Sequence, residues 1–307
     1  MKRIAVPALV CVLALATSAC FGATITVPGD YATIGAAVAA ASDGDVISVS
    51  PGTYTENVVV DKAVSIRGVQ GSDVTTVTAA STNDFDCVFV VTSSDVTISG
   101  FTISGATGKY NAGVWIYGAD YVSANDAAIS DVTVSKCVIE NNRIGLCIGG
   151  ADKSMIVNNT IRSNLNYGNT RGCCWYTNGI TVCQCLATAL GTQIVNNRIY
   201  QNDGCGILFV NLWEVPWDVT GTKIIGNNFY QNGNNETLDP RFPPPTAPDI
   251  GVTFAQGSIK VSGNKFLERL VGATPVHGFW AIDSPDAKVV GNPERQELGP
   301  NIPMPTP

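Results

Sequence analysis

An asparagine-rich phrase that recurs along the chain constrains its fold more than any other feature. Residues 157–164 read VNNTIRSN, residues 195–202 read VNNRIYQN and residues 225–232 read IGNNFYQN. Alignment on the central apolar residue extends the repeat to six copies, which indicates a repeat architecture. The central residues are Ile103, Ile139, Ile161, Ile199, Phe229 and Phe266.

Asparagine forms two columns in this alignment, one two residues before the central residue and one three residues after it. Asparagine accepts left-handed turn conformations more readily than most residues, so both columns predict turns. Phe101 and Cys137 hold the first-column position in the two earliest copies. The first column contains Asn159, Asn197, Asn227 and Asn264, and the second contains Asn142, Asn164, Asn202 and Asn232.

A second phrase follows each copy and consists of a glycine and then an apolar–any–apolar triplet. Alternation over three residues is typical of a strand. Cys137 and Asn159 are 22 residues apart, the length of one coil of a solenoid whose strands stack on those of neighbouring coils. The phrase begins at Gly113, Gly145, Gly179, Gly206, Gly251 and Gly278. The alignment predicts one shared outer face for Trp115, Cys147, Thr181, Leu208, Thr253 and Trp280.

These repeats resemble the right-handed parallel β-helix of the pectin-lyase-like superfamily, including NosD-type periplasmic repeats. The resemblance implies an all-β, single-stranded solenoid over residues 23–292, in which stacked asparagine side chains form hydrogen-bonded ladders at the turns. The N-terminal segment is similar to that of pectinesterase-like proteins. Its Ala-rich stretch at about 31–41 predicts a short capping helix, and Gly52-Thr-Tyr-Thr-Glu56 matches the family motif G-x-Y-x-E.

The two ends of the chain differ from the repeats. Residues 1–22 have two positive charges, an apolar run at 4–16 and small residues before Cys20, which predicts a signal peptide rather than a membrane span. Cleavage near Gly22 and cleavage before Cys20, which would leave a lipid anchor, remain alternatives. We therefore expect a secreted, periplasmic or cell-surface protein. The proline-rich residues 293–307 predict a disordered tail.

The charge of the chain limits its partners. A formal net charge of −7 and the absence of a basic run after residue 3 exclude nucleic acid as an expected partner, because phosphate binding needs a positive surface. We expect a monomer without a transmembrane segment in the mature chain.

Eight cysteines remain beyond the signal peptide, a number that favours disulfides in an exported chain without fixing their pairing. Four of them, within residues 173–185, could instead bind a soft metal, but their spacing fits no common zinc pattern. The disulfide candidates are Cys87, Cys137, Cys147, Cys173, Cys174, Cys183, Cys185 and Cys205.

The catalytic motifs of two enzyme classes with this fold are absent from the sequence. Pectin methylesterases carry Q-D-T-L and D-F-I-F-G, and polygalacturonases carry N-T-D, D-D and G-H-G, whereas the one histidine here, His277, lies in PVHGFW. Lyases of this fold use an Arg or Lys base and Ca²⁺ held by carboxylates from several coils. Lyase chemistry with calcium is therefore the enzymatic class that the sequence excludes least.

Four insertions, at residues 117–130, 165–178, 211–221 and 233–250, predict the functional site, because the regular coils offer only a scaffold. Aromatic rings there could stack on sugars, and charged groups could act as acid, base, clamp or calcium ligand. The alternative is that the aromatic residues anchor the loops and the charges are solvated. The predicted catalytic residues are Asp203, Glu214, Asp218 and Arg171, and the predicted substrate-binding residues are Trp175, Tyr176, Trp213, Trp217, Asp239 and Arg241.

Two functional hypotheses follow from these features. The first is an exported protein that binds an extended, acidic polysaccharide and cleaves it, if it is catalytic, as a lyase or a hydrolase. The second is a non-catalytic surface or adhesion module. Convergence of carboxylates near an arginine favours the first, and their dispersal favours the second.

Overall fold

Short strands with alternating buried and exposed residues build three parallel sheets, named A, B and C. The protein is represented by a computed structural model, which describes residues 22–118, 129–165, 177–184, 189–211, 217–233, 248–253, 255–267, 270–271, 274–275, 278–282 and 287–289. Each strand pairs with the equivalent strands of neighbouring coils. This is the parallel β-helix that the sequence predicts.

The strands are assigned to the sheets as follows. Sheet A contains Thr24–Val27, Val46–Val49, Ser65–Gly68, Thr97–Ser99, Thr133–Ser135, Met155–Val157, Gln193–Val195, Thr222–Ile225, Ile259–Ser262 and Ala287–Val289. Sheet B contains Gly52–Thr55, Thr75–Thr78, Thr102–Ser104, Val138–Glu140, Thr160–Arg162, Arg198–Tyr200, Asn228–Tyr230 and Lys265–Phe266. Sheet C contains Val58–Val60, Phe89–Val91, Ala112–Tyr117, Ile144–Gly149, Ile180–Gln184, Ile207–Asn211, Ile250–Thr253 and Phe279–Ile282.

Three two-stranded pairings lie beside the main sheets. Two are parallel, Ile129–Ser130 with Ala151–Asp152 and Trp217–Asp218 with Ala255–Gln256. The third, Leu270–Val271 with Thr274–Pro275, is antiparallel.

The predicted asparagine ladders are both present. In the first, between sheets A and B, Asn197 donates from Nδ2 to Oδ1 of Asn227 at 3.0 Å and to the carbonyl oxygen of Ile156 at 2.8 Å. In the second, between sheets B and C, Asn202 makes the same two kinds of bond, to Asn232 at 2.9 Å and to the Ile161 carbonyl at 3.2 Å. The ladders therefore satisfy buried polar groups at each turn.

The doubled asparagine of the phrase has a separate reason for each residue. Asn158 and Asn196, which precede ladder residues, have left-handed backbone with φ of 58° and 56°, a conformation that few side chains other than asparagine tolerate. Gly226 and Gly263 supply the same turn in later coils. The first asparagine therefore turns the chain, and the second builds the ladder.

The glycine column leaves room for the second ladder. A Cβ atom on Gly145 would lie 2.4 Å from the carbonyl oxygen of Gly179 and 2.8 Å from Nδ2 of Asn164. Gly113 and Gly206 are crowded in the same way. The glycine phrase follows the asparagine phrase because the ladder amide occupies the space of a side chain.

The strand register corrects the sequence alignment in one coil. The alignment placed Gly251 in the glycine column, and therefore Thr253 in line with Leu208 and Trp280. In the structure, Gly251 itself pairs with Leu208 on one side and with Trp280 on the other. Asp249 therefore stands in the glycine column. A shift of two residues keeps each side chain on the same face of the strand, so hydrophobic alternation did not reveal the error.

The predicted N-terminal helix runs from Ile34 to Ala40 and buries Ile34 and Val38 in the main core. Its first turn is held by the carboxylate of Glu56, which accepts hydrogen bonds from the backbone N–H groups of Ile34 and Gly35, both at 2.9 Å. Thr33 caps the helix through Oγ1. The glutamate of the G-x-Y-x-E motif therefore has a structural role in attaching the helix.

Candidate functional site

Most of the predicted site residues lie outside the described residues. These comprise the predicted catalytic residues Arg171 and Glu214, the predicted binding residues Trp175, Tyr176, Trp213, Asp239 and Arg241, and three disulfide candidates, Cys173, Cys174 and Cys185.

Asp203 and Asp218, the two predicted catalytic carboxylates that the structure describes, lie at opposite ends of one strand of sheet C. The strand Ile207–Asn211 separates them along the chain, and five residues of strand span on the order of 15 Å. Oδ1 of the exposed Asp218 accepts a hydrogen bond from the backbone N–H of Thr220 at 2.8 Å. A strand of this length separates the two carboxylates by more than the about 5–9.5 Å of an acid–base pair, if the chain continues away from Asp203 after it.

Trp217 belongs to the core and does not form a binding surface. Its side chain is 2 % exposed, and its Nε1 donates to the carbonyl oxygen of Thr253 at 3.0 Å. The ring centroid lies 6.3 Å from that of Phe209. Anchoring, the alternative to sugar stacking, is therefore what the structure shows for this residue.

The described cysteines are all buried. Cys137 was predicted as a disulfide candidate, but it forms no disulfide. Cys137 is a free thiol that donates from Sγ to the carbonyl oxygen of Ser135 at 3.3 Å. It occupies the first-ladder position, and burial raises the pKa of its thiol to about 11. The Sγ atoms of Cys147 and Cys183 lie 3.8 Å apart on neighbouring strands of sheet C.

The outer face of sheet C is apolar and buried. Trp115, Cys147 and Leu208, which the sequence predicts on this face, form a second hydrophobic cluster together with Cys183 and Val210. Trp115 is 7 % exposed and Leu208 is fully buried. The sequence predicted that this outer face is covered rather than exposed, and the burial of these residues confirms it.

The outer face of sheet B carries a group of charged and aromatic side chains. The strand register places Glu140, Arg162, Tyr200 and Tyr230 in one row. Arg198 pairs beside them with Asn228, which pairs in turn with Lys265. We call Arg162, Arg198, Tyr200, Tyr230 and Lys265 the basic strip.

Arg162 and Tyr200 are held in place within the basic strip. Arg162 donates from Nε to Oε2 of Glu140 at 2.6 Å and from Nη1 to the hydroxyl of Tyr200 at 3.0 Å. The rings of Tyr200 and Tyr230 stack with centroids 4.3 Å apart and planes 11° apart. The guanidinium carbon of Arg198 lies 5.7 Å from the Tyr200 ring centroid, within reach of a cation–π contact.

The surroundings of Arg162 and Tyr230 keep these two groups of the strip protonated. The hydrogen bonds with Tyr200 and Glu140 raise the pKa of Arg162, so this guanidinium stays positive. Burial and the hydrogen bond between Tyr230 and Tyr200 raise the pKa of Tyr230, so its phenol stays neutral near pH 7. These two groups suit the binding of an anion better than proton abstraction.

The sequence contains a third aligned column that indicates this strip, but the search for asparagine columns did not consider it. Glu140, Arg162, Tyr200 and Tyr230 each stand directly after the central apolar residue of their copy. That position points outward because the central residue points into the core. A third aligned column, read for charge and aromaticity, would have found them.

No three His, Cys, Asp or Glu side chains converge on a possible metal site within the described part of the chain. Glu214 and Asp239, two of the carboxylates considered as calcium ligands, are not among those residues. Calcium therefore stays a prediction. In the same part of the chain, no helix has the length and apolar character needed to cross a bilayer.

Solved structures with the same architecture include two polysaccharide lyases. The chain resembles pectate lyase Pel9A with a TM-score of 0.57 at 16% identity, over 86% of this chain and 73% of the other. It resembles the alginate lyase from Paenibacillus sp. str. FPU-7 with a TM-score of 0.54 at 15% identity, over 92% and 99%. At these identities the likeness concerns the fold.

Two sequence comparisons complete the assignment. A search of curated proteins finds no match. Residues 62–292 match the family described as "Right handed beta helix region", and this segment includes both ladders and most coils of the three sheets. The repeated strands, the asparagine ladders and this match together show that the chain belongs to the right-handed β-helix family.

Proposed function

We propose that this protein binds an extended acidic polysaccharide along the outer face of sheet B. The observation that carries the proposal is the basic strip, in which three cations and two stacked tyrosines occupy successive coils. The protein as a whole has a formal net charge of −7. Three cations with one carboxylate, Glu140, on a single face are therefore a local departure that favours an anionic ligand.

The spacing of the strip suits a linear polymer. Neighbouring strands lie about 4.8 Å apart, so the four coils from Arg162 to Lys265 extend over roughly 14 Å along the solenoid. Aromatic rings can contact the apolar faces of sugars, while arginine and lysine bind carboxylates. A polyuronate lying parallel to the solenoid axis would meet both kinds of group. The resemblance to a pectate lyase and an alginate lyase supports the same ligand class.

Binding without turnover is the form of the proposal that the described residues favour. Arg162 is engaged by Glu140 and Tyr200, and Asp203 and Asp218 flank sheet C from opposite ends. Lyase-type cleavage would draw on Arg171 and Glu214, which stay predictions. The separation of the two described carboxylates along the chain favours the non-catalytic form of the first hypothesis, in which the protein binds the polysaccharide without cleaving it.

The binding experiment compares two double variants that remove the same charge. Arg198→Gln with Lys265→Gln removes two cations of the strip, and Lys223→Gln with Lys260→Gln removes two exposed cations from sheet A. We expect the first pair to weaken binding to polygalacturonate and alginate roughly tenfold or more, measured by calorimetry at fixed salt, because each lost charged hydrogen bond costs about 1 kcal/mol. We expect the second pair to leave affinity near the wild-type value.

Two outcomes would count against the proposal. Equal weakening by both double variants would mean that net charge alone drives binding, and no retention of any polyuronate by the wild type would remove its basis. Turnover is tested separately by incubating the protein with these polymers, with and without calcium, and recording unsaturated or reducing ends. Sustained product release would replace the non-catalytic form with the lyase form.

Export belongs to the proposal because a polysaccharide matrix lies outside the cell. It rests on the charge and apolar pattern of residues 1–22. N-terminal sequencing of the protein recovered from cells would give Ala23 or a nearby residue after ordinary processing, and a blocked, lipidated Cys20 after lipoprotein processing. An intact Met1 would contradict both forms of export.

A further inference from the structure

A second aromatic surface lies away from the basic strip, at the edge of sheet C in the earlier coils. Phe85 is 49 % exposed and has left-handed backbone with φ of 70°. Among the described residues other than glycine, those with positive φ are otherwise polar or charged and stand at coil corners. A bulky apolar residue in this conformation is strained, and such strain concentrates at functional sites.

Three aromatic rings are nearly parallel at this surface. The centroid of Phe85 lies 4.6 Å from that of Tyr110, with planes 14° apart, and 5.9 Å from that of Trp115, with planes 23° apart. These residues come from two successive coils, since the strand Phe89–Val91 after Phe85 pairs with the strand of Trp115. We call Phe85, Tyr110 and Trp115 the aromatic shelf.

Buried polar atoms without partners lie beside the shelf. Both amide atoms of Asn111 and Nε1 of Trp115 are buried and find no hydrogen-bond partner among the residues that the structure describes. A Cβ atom on Gly108 would lie 2.6 Å from Nδ2 of Asn111 and 2.2 Å from the carbonyl oxygen of Thr82, so this amide adjoins the turn that carries Phe85. Unsatisfied buried amides are rare and call for an explanation.

Charged groups of both signs border the shelf. Nζ of Lys109 lies 4.9 Å from the Tyr110 ring centroid. Arg143 is largely buried nearby, and burial lowers its pKa while Asp84 and Tyr110 oppose that shift. An apolar platform with a polar and charged border is the usual composition of a small-molecule site.

We propose that the aromatic shelf binds one sugar ring, with the apolar face of the ring on Phe85 and its hydroxyl groups hydrogen-bonded at the Asn111 amide. Because the Asn111 amide is buried, this contact would require the turn that carries Phe85 to move aside. A protein partner fits less well, because specific protein interfaces need about 800 Å² per partner and the exposed apolar part of the shelf is little more than one ring. The site is separate from the basic strip and does not depend on it.

The experiment uses short oligosaccharides, a uronate trimer and a neutral trimer, titrated by calorimetry into the full chain. We expect Phe85→Gly and Asn111→Leu to weaken binding of at least one trimer roughly tenfold. Asn111→Leu removes the unsatisfied amide and is not expected to lower the melting temperature. Phe85→Gly loses the ring contacts with Tyr110 and Trp115 but relieves the left-handed strain, so its two effects on stability oppose each other. Tyr31→Ala removes an exposed tyrosine elsewhere and should leave affinity unchanged.

The outcomes separate this site from the basic strip. Trimer binding that survives Arg198→Gln with Lys265→Gln but is lost with Phe85→Gly supports the shelf, whatever the polymer result. Lys109→Gln shows whether a carboxylate is recognised, because it should weaken only the uronate trimer. Wild-type affinity in both shelf variants overturns the inference, as does an absence of trimer binding by the wild type. A fall in melting temperature in both variants would assign the shelf a packing role instead.

Discussion

Asn232 donates a hydrogen bond from Nδ2 to Oδ1 of Asp249 at 2.8 Å. At this step of the second ladder the acceptor is a carboxylate oxygen, whereas in the earlier steps it is the amide oxygen of an asparagine. Asp249 stands where earlier coils have glycine, so its side chain occupies the space that the ladder amide fills elsewhere. The aspartate therefore ends the ladder by accepting its last side-chain hydrogen bond.

Removal of this acceptor should destabilise the C-terminal coils. In Asp249→Ala the Asn232 amide loses a partner in a buried position, which costs about 1–3 kcal/mol. Asp249→Asn keeps an oxygen acceptor and should lose much less. Urea unfolding of the two variants measures the difference, and equal losses would show that the carboxylate charge matters rather than the hydrogen bond.

Gly145 and Gly149 lie on the same strand but should differ strongly in how well they tolerate substitution by alanine. A Cβ atom on Gly145 meets the Gly179 carbonyl oxygen at 2.4 Å, whereas one on Gly149 meets Sγ of Cys183 at 3.5 Å, an ordinary contact. We expect Gly145→Ala to lower the free energy of unfolding by about 3 kcal/mol or more, through overpacking and displacement of the ladder. Gly149→Ala should stay within about 1 kcal/mol. Calorimetric melting of both variants tests the pair.

The thiol of Cys137 predicts a specific alkaline sensitivity. Its pKa is raised from an ordinary 9.0 to about 11 in the folded protein, so the unfolded chain loses this proton first. The thiol's stabilising contribution is therefore complete below pH 9 and is lost as the pH rises from about 9 to 11. Cys137→Asn should flatten the decline of unfolding free energy over that window, and an unchanged slope would exclude the thiol as its source.

The same variant should also extend the first ladder by one residue. The backbone N–H of Cys137 already donates to Oδ1 of Asn159 at 2.9 Å, as the ladder asparagines do to one another. An asparagine at 137 can add the side-chain bond to Asn159 as well. We expect Cys137→Asn to be at least as stable as the wild type at pH 7.

The fold could be predicted from the sequence because its chemistry repeats. One asparagine turn is weak information, but six aligned copies fix the coil length, the inward residues and the ladders. The register of Gly251 could not be predicted, because a shift by two residues preserves the strand face. The position of Asp249 in the glycine column followed only from the strand pairing.

The candidate sites could be predicted less well, because single outward positions lack such repetition. Arg162 and Tyr230 look like ordinary solvated residues until the register places them in one row. Trp217 looked like a sugar-binding residue, since an aromatic residue that anchors a loop has the same local sequence as one that binds a ligand. The aromatic shelf joins residues from successive coils, and Phe85 became notable only through its backbone conformation.

The ladders also give the solenoid a direction of growth. Each ladder amide donates toward the coil that follows it in the chain, as Asn159 does to Asn197 and Asn164 does to Asn202. In a partly formed stack, the side-chain N–H of the last coil therefore faces water. When the next coil is added, its asparagine oxygen replaces water as the acceptor. From Asn142 and Asn159 onward, assembly toward the C-terminus would give one amide of each ladder its acceptor with every coil added, in the order in which a ribosome delivers the coils.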